Sequence, residues 1–344
     1  MKAVYSPAHT AHDPKFFLVR GVPTASTEQP ERAERLLTGL TKCGLSVVEP
    51  DDFGSAPRES IHTPEYLAFL ETAHAEWSAL PGASAEIIPN IHPLRLRDVY
   101  PDHIVGRAGW HMADTACPIG AHTFDAACAS ANSALTAAQL ILDGDGAAYA
   151  LCRPPGHHAF ADMAGGFCFL NNCAIAAQHL RQKHERVAIL DVDVHHGNGT
   201  QACFWNDGSL FYASSHQMPL FPGTGAYDET GAYQNIFNLP LAYGTGGSSI
   251  RSGWRDDLLP SVVATKPDLI IISAGFDAHE ADPLGGLQMT SDDFGILTND
   301  IIDAANEAAE HSGAVRVVSL LEGGYDLNAL GQSVCQHMTG LEGI

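Results

Sequence analysis

The chain has 344 residues, 45% of them hydrophobic, which is ample for a large core and somewhat long for one ordinary domain. Its formal charge of −22 argues against nucleic acid or an anionic membrane as a partner, and speaks only weakly for a cationic ligand, because acidic surfaces usually serve solubility. The opening MKAVYSPAHTAHDP lacks the apolar core of a signal peptide, and runs such as LIII at 269–272 are far too short to span a bilayer, so a soluble, cytoplasmic protein is expected.

KAVY at 2–5 reads as the first strand. QPERAERLLTGLTKCG then opens a helix, with Pro30 in its first turn and Gly44 at its end. TPEYLAFLETAHAEWSAL (63–80) is a second, amphipathic helix. Residues 81–106 carry four prolines and no clear period, which predicts a long inserted loop, and loops of that size are usually functional. A helix over Ala127–Leu142 and a strand at 147–152 follow, then a helix at 171–184 and the strand RVAILDV at 186–192. Later strands are LFYAS (210–214), DLIIISA (268–274) and AVRVVSLL (314–321), with helices near 248–264, 291–312 and 326–341. Unbroken Val/Ile/Leu runs belong to strands buried on both faces, so the expected fold is α/β: one parallel sheet with helices on both faces. With no repeat, low-complexity tract or linker, one domain over 1–344 is the simplest organisation.

In open parallel sheets, ligands bind beyond the carboxyl ends of the strands. The polar motifs fall at those ends: RPPGHHA after Leu151-Cys152, DVDVHHG after Ile189-Leu190, AGFDAHEADP after Ile272-Ser273, and EGGY after Leu320-Leu321. Asp193 and His195 are two apart on an extended chain and should leave the same face, where Asp277 could join them. Two carboxylates and an imidazole leave an open fourth position for a catalytic zinc, although ferrous iron or cobalt accepts the same donors. A single strand-end Asp is ordinarily a cap or turn former, so the weight rests on the set. Asp191 reads either as a partner behind the metal ligands or, with Asp193, as part of a structural monovalent cation site. His157 and His158 follow a rigid Pro-Pro-Gly turn, and imidazole can act as both base and acid near neutral pH. Adjacent histidines usually do nothing, but their place beyond a buried strand favours function. Tyr325 follows two glycines and could donate its O–H to an oxyanion, whereas a lone tyrosine is more often core or rim. The eight cysteines, Cys43, Cys117, Cys128, Cys152, Cys168, Cys173, Cys203 and Cys335, form no CxxC and read as free buried thiols in a reducing compartment.

The ordered set RPPGHH, GGFCFLNN, DVDVHHGNGTQ, FPGTG, AGFDAHEADPLG and EGGY resembles the histone deacetylase superfamily, whose fold is arginase-like. The match runs from about His9 to the final helix. The 81–106 insert, with the flanking YLAFLETAHAEW and RDVYPDHIVGRAGW, resembles the bacterial acetylpolyamine amidohydrolase branch. This resemblance implies zinc on Asp193, His195 and Asp277, with His157 an electrostatic partner oriented by Asp191. It implies His158 as general base and then acid with Asn198 behind it, where some relatives carry Asp. Tyr325 would hydrogen-bond the carbonyl and its tetrahedral oxyanion, and Gly166, Phe167 and Phe221 would line a narrow substrate tunnel. A structural potassium ion is implied near Asp191, Asp193, His195 and Ser214.

The implied activity is zinc-dependent hydrolysis of an acetylated amine, an acetylpolyamine or similar small acetylated amine, with an acetyl-lysine protein deacetylase or a broader amidase as the alternative. In that branch the insert narrows the mouth across a homodimer or higher homo-oligomer. The chain departs from the branch at Phe17, Val105 and Ala116, which are uncharged where polyamine-specific relatives place glutamates. A two-manganese ureohydrolase is the nearest rival, but DVDVHH lacks its DAHxD-type pattern. A non-catalytic binder of acetylated ligands would be expected to lack His158 or Tyr325, and both are present.

Overall fold

The apolar runs form strands of one parallel sheet in a computed structural model, which describes residues 1–93, 99–309 and 316–342. The strands are β1 (Lys2–Val4), β2 (Phe16–Val19), β3 (Val22–Ala25), β4 (Ser46–Val48), β5 (Ala147–Ala150), β6 (Val187–Asp191), β7 (Leu210–Gln217), β8 (Ile236–Leu241), β9 (Leu269–Ala274) and β10 (Val317–Leu321). Eight of them pair in the order β4-β1-β5-β10-β9-β6-β7-β8, every neighbour parallel. Every residue of β5, β6, β9 and β10 is buried, which is why these strands read as continuous apolar runs rather than alternating ones.

The helices are α1 (Glu31–Lys42), α2 (Ala56–Glu59), α3 (Pro64–Ser78), α4 (Ile104–His111), α5 (Thr123–Leu142), α6 (Asn172–Leu180), α7 (Asn198–Phe204), α8 (Gly247–Gly253), α9 (Leu259–Thr265), α10 (Ser291–Ala309) and α11 (Leu330–Leu341). They cover both faces of the sheet. Among the described residues no helix is long and apolar enough to cross a membrane. The main core joins the sheet to α1, α5, α6, α10 and α11, while a smaller cluster around Tyr66, Phe69, Ile87, Ile104 and Met112 lies under α3 and α4.

Several expectations need correction. The 81–106 segment is not loop throughout: α4 starts at Ile104, capped by His103, whose Nδ1 accepts the Val105 N–H at 3.2 Å. Ile87 anchors the segment through two backbone hydrogen bonds with Ile119, and residues 94–98 lie outside the described residues. The ends of the expected helix at 291–312 and the start of the strand at 314–321 also fall partly outside them. The hairpin β2–β3 and the edge strands β4 and β8 were not anticipated, because short, part-exposed strands carry little apolar signal. The last helix begins at Leu330 rather than 326, since Asp326 Oδ1 accepts the Asn328 and Ala329 N–H groups and closes a turn first.

The cysteines are not all free. Cys43, just past α1, is disulfide-bonded to Cys335 in α11, and the other six are thiols. The two cysteines are 292 residues apart in sequence, so helix packing alone brings them together and no spacing motif could reveal the pair.

Where α1 crosses α11, two glycines meet. A Cβ on Gly39 would lie 2.3 Å from the Gly331 carbonyl oxygen and 2.8 Å from Val334 Cγ1. Backbone cannot yield as a flexible side-chain tip can, so Gly39→Ala should destabilise the protein by about 1–3 kcal/mol. A midpoint in urea equal to that of the parent would show that the helices separate without cost.

Candidate active site

Strand β6 ends at Asp191, and the chain then bends. Asp191 Oδ1 accepts the Asp193 N–H at 3.2 Å, and Asp193 Oδ1 accepts the His195 N–H at 2.9 Å. Asp193 and His195 are therefore on a turn rather than an extended chain, as consecutive carboxylate-to-backbone bonds compete with the ladder. They still converge, because the turn is held from β9 and β10: Asp277 Oδ1 accepts Val194 N–H at 2.8 Å, and Asp193 Oδ2 accepts Gly323 N–H at 2.8 Å. Only glycine fits at 323, where a Cβ would fall 2.1 Å from Asp277 Oδ2 and 2.6 Å from Asp193 Oδ2.

One donor atom from each of Asp193, His195 and Asp277 lies within 4.8 Å of the others. His195 Nδ1 is 3.2 Å from Asp193 Oδ1 and 3.1 Å from Asp277 Oδ2. All three side chains are buried. Burial and the neighbouring Asp193 push the Asp277 carboxyl up to about 7. Burial works against charge on His195, yet the two carboxylates outweigh it and hold the imidazole up to about 10. Two buried carboxylates that gather a proton between them form a donor set that a divalent cation relieves, and the ligand types match zinc. Asp191 is not part of this set. Its Oδ2 lies 3.1 Å from His157 Nδ1 and accepts the Tyr212 O–H at 3.0 Å.

The turn after β5 brings in the two histidines. Burial opposes charge on His157, but Asp191, Asp193 and Glu322 together raise it well above its ordinary value, so it is an imidazolium. Its neighbour behaves oppositely. Burial, then the charges of His157 and His195, hold His158 well below its ordinary value, and its Nδ1 is 2.8 Å from Asn198 Oδ1. Asn198 therefore accepts from Nδ1–H and leaves Nε2 of a neutral ring as the available base. Tyr325 is buried, and burial raises its phenol well above its ordinary value, so it keeps its proton. The backbone N–H of Tyr325 donates to Asp282 at 2.6 Å.

His158, His195 and Tyr325 line one cavity of about 420 Å³, together with Gly166, Phe167, Phe221, Phe17 and Ala116. The three residues expected in the tunnel all line this cavity. Val105 lies on α4 and is not among the lining residues. Ser214, expected near a potassium ion, sits in register beside Asp191, with its Oγ 2.9 Å from His216 Nδ1.

Four residues escaped the sequence reading. Glu322 accepts the N–H groups of Gly156 and His157 at 2.7 and 3.0 Å and bonds from Ser273 and Cys173. Arg32 donates to the carbonyls of Glu322 and Gly324 at 2.7 and 2.6 Å, and its guanidinium lies 4.7 Å from the Tyr325 ring centroid. Asp114 accepts from Gly166 and Ala116 N–H, and Asp282 holds Tyr325. Glu322 was discoverable, since it directly follows a buried strand as Asp191 does. Arg32 was also visible as a cation four residues before Leu36 on the apolar side of α1.

Fold and site together define a protein of the arginase/deacetylase-like α/β class. Residues 26–341 match the histone deacetylase domain, and the chain belongs to that family. It is 42% identical to an acetylpolyamine amidohydrolase of Burkholderia pseudomallei over 96% of this chain and 95% of the relative. It is 37% identical to acetylpolyamine amidohydrolase 1 of Pseudomonas aeruginosa over 100% and 99% of the two chains. The crystal structure of acetylpolyamine aminohydrolase from Burkholderia pseudomallei superposes with a TM-score of 0.92 at 40% identity, covering 99% of this chain and 98% of that one. The HDA15 HD domain gives 0.80 at 27% identity, covering 100% and 91%.

The Gly156 and His157 N–H groups both donate to Glu322 Oε2, while Ser273 and Cys173 bond Oε1, so this side chain is the acceptor for two buried backbone N–H groups. Glu322→Ala leaves both N–H groups without that acceptor and should lower stability by about 1–3 kcal/mol. Thermal unfolding reads the loss, and an undiminished Tm would mean that water replaces the lost acceptor.

Proposed function

We propose that this chain is a deacetylase that hydrolyses the amide of a small acetylated amine, releasing acetate and the free amine. One arrangement carries the reading: His158 and Tyr325 line the same cavity as His195, whose donor atom lies within 4.8 Å of those of Asp193 and Asp277. A zinc ion on those three residues, or ferrous iron or cobalt in its place, would supply Lewis acidity toward the acyl carbonyl and water. His158 takes the proton from the attacking water through Nε2 and returns it to the departing nitrogen. Asn198 fixes the tautomer, and as a neutral amide it raises the basicity of His158 less than a carboxylate would. The cationic His157, held by Asp191, steadies the negative charge that develops beside it. Tyr325 donates its O–H to the oxyanion.

A structural potassium ion beside Asp191, Asp193, His195 and Ser214 completes the reading and rests on the resemblance alone. The two-manganese alternative has little support. Among the described residues a second buried group, His157, Cys168 and Glu322, could hold an ion, but its members already bond Asp191, the Gly166 carbonyl and four donors. Within this reading the enzyme is cytoplasmic and contacts a second copy through the 81–106 segment.

Tyr325→Phe should lower kcat about 10²–10³-fold with substrate still bound, the usual effect of losing one oxyanion donor. His158→Ala should abolish turnover of acetylated amines while the metal content, measured by elemental analysis, stays that of the parent. Loss of metal with His158 would make it a ligand, and full turnover by the Phe variant would leave Tyr325 a structural group. Light scattering should show a dimer or larger; a fully active monomer excludes the 81–106 contact.

A further inference from the structure

The chemistry of the cavity floor does not choose the amine; the walls do. Hairpin β2–β3 forms one wall. Phe17 and Val19 pack with Phe167, Tyr325, Ala116 and Leu284, and the Phe17 and Phe167 rings meet edge to face at 5.3 Å. Among the described residues no carboxylate lines the cavity, and Arg20 is the one side chain there with a fixed charge. Its guanidinium forms no ion pair among the described residues.

Turn geometry does not account for an arginine at this place. Val19 pairs with Val22 across a two-residue turn in which Arg20 and Gly21 have φ of 52° and 80°. Such turns favour Asn or Gly at the first position, and a long side chain gains nothing from the backbone there. Arg20 is exposed, so its guanidinium stands at the solvent side of the cavity rather than in the core.

Resting on the deacetylase reading above, we propose that Arg20 and the uncharged wall select an acylated amine whose far end is anionic, an ω-acylamino carboxylate, over one that ends in ammonium. An ammonium entering this wall gives up water and finds no carboxylate among the described lining residues, and beyond the wall it meets a like charge. A carboxylate at the same reach pairs with a guanidinium fork that has no ion-pair partner among the described residues. The net charge of −22 acts at long range and is screened within about 8–10 Å at ordinary salt, so the nearest charge governs the bound end.

The test compares three acetamides of similar chain length: 4-acetamidobutanoate, N-butylacetamide and N-(4-aminobutyl)acetamide. Both kcat/KM and binding by calorimetry are measured on the metal-replete enzyme. The carboxylate should exceed the ammonium compound about tenfold at low ionic strength, with the gap closing in high salt. Arg20→Glu should invert that ratio, and Arg20→Lys should largely keep it. Tightest binding of the ammonium compound, or an unchanged ratio in Arg20→Glu, overturns the proposal. If none of the three is hydrolysed but the binding order holds, the deacetylase reading fails and the selectivity of the cavity stands.

Discussion

Four carboxylates with no solvent exposure, Asp191, Asp193, Asp277 and Glu322, set the terms for the rest of this molecule. Taking each from water costs several kcal/mol unless hydrogen bonds or positive charge replace the solvent. The replacements come from other segments: Gly323 N–H for Asp193, Val194 N–H for Asp277, Tyr212 and His157 for Asp191, and Gly156 and His157 N–H for Glu322. The acids therefore tie the ends of β5, β6, β9 and β10 to one another. What remains unbalanced is concentrated between Asp193 and Asp277, around His195. A floor built in this way could hold a cation.

The same constraint separates the two histidines. His157 sits against Asp191 and Asp193 and is charged; that charge, with burial, suppresses protonation of His158 one residue away. Adjacent residues in one turn thus take opposite protonation states, because one faces the carboxylates and the other faces an amide. The roles proposed for them, base and electrostatic partner, would follow from one asymmetry of surroundings.

The sheet was legible because buried parallel strands announce themselves as Val/Ile/Leu runs, and the floor was legible because its polar residues stand directly beyond those runs. The bend after Asp191 was not. Its geometry depends on N–H groups donated across three strands, so Asp193 and His195 could be grouped without knowing that they lie on a turn. Arg32 lay in plain view on α1 but gained meaning only from the Tyr325 loop, which lies nearly 300 residues along the chain. The Cys43–Cys335 pair was misread for the same reason: contacts between distant helices leave no local pattern. The hairpin failed differently. β3 is exposed along its whole length and β2 is only partly buried, so neither looks like core.

That last failure has a physical cause that bears on how function is distributed over the fold. Floor residues are buried among charged groups, and almost any change there leaves a carboxylate or imidazole without its partner. Wall residues on the hairpin need only exclude water from the reacting bond, which Phe17 and Val19 can do with many apolar substitutes. The chemistry of the reaction is accordingly written in motifs dense with Asp, His and Gly. In the selectivity proposed for the cavity, the identity of the amine depends instead on the exposed hairpin turn. Arg20, on a two-residue turn whose backbone has no use for it, stands at the edge of that wall.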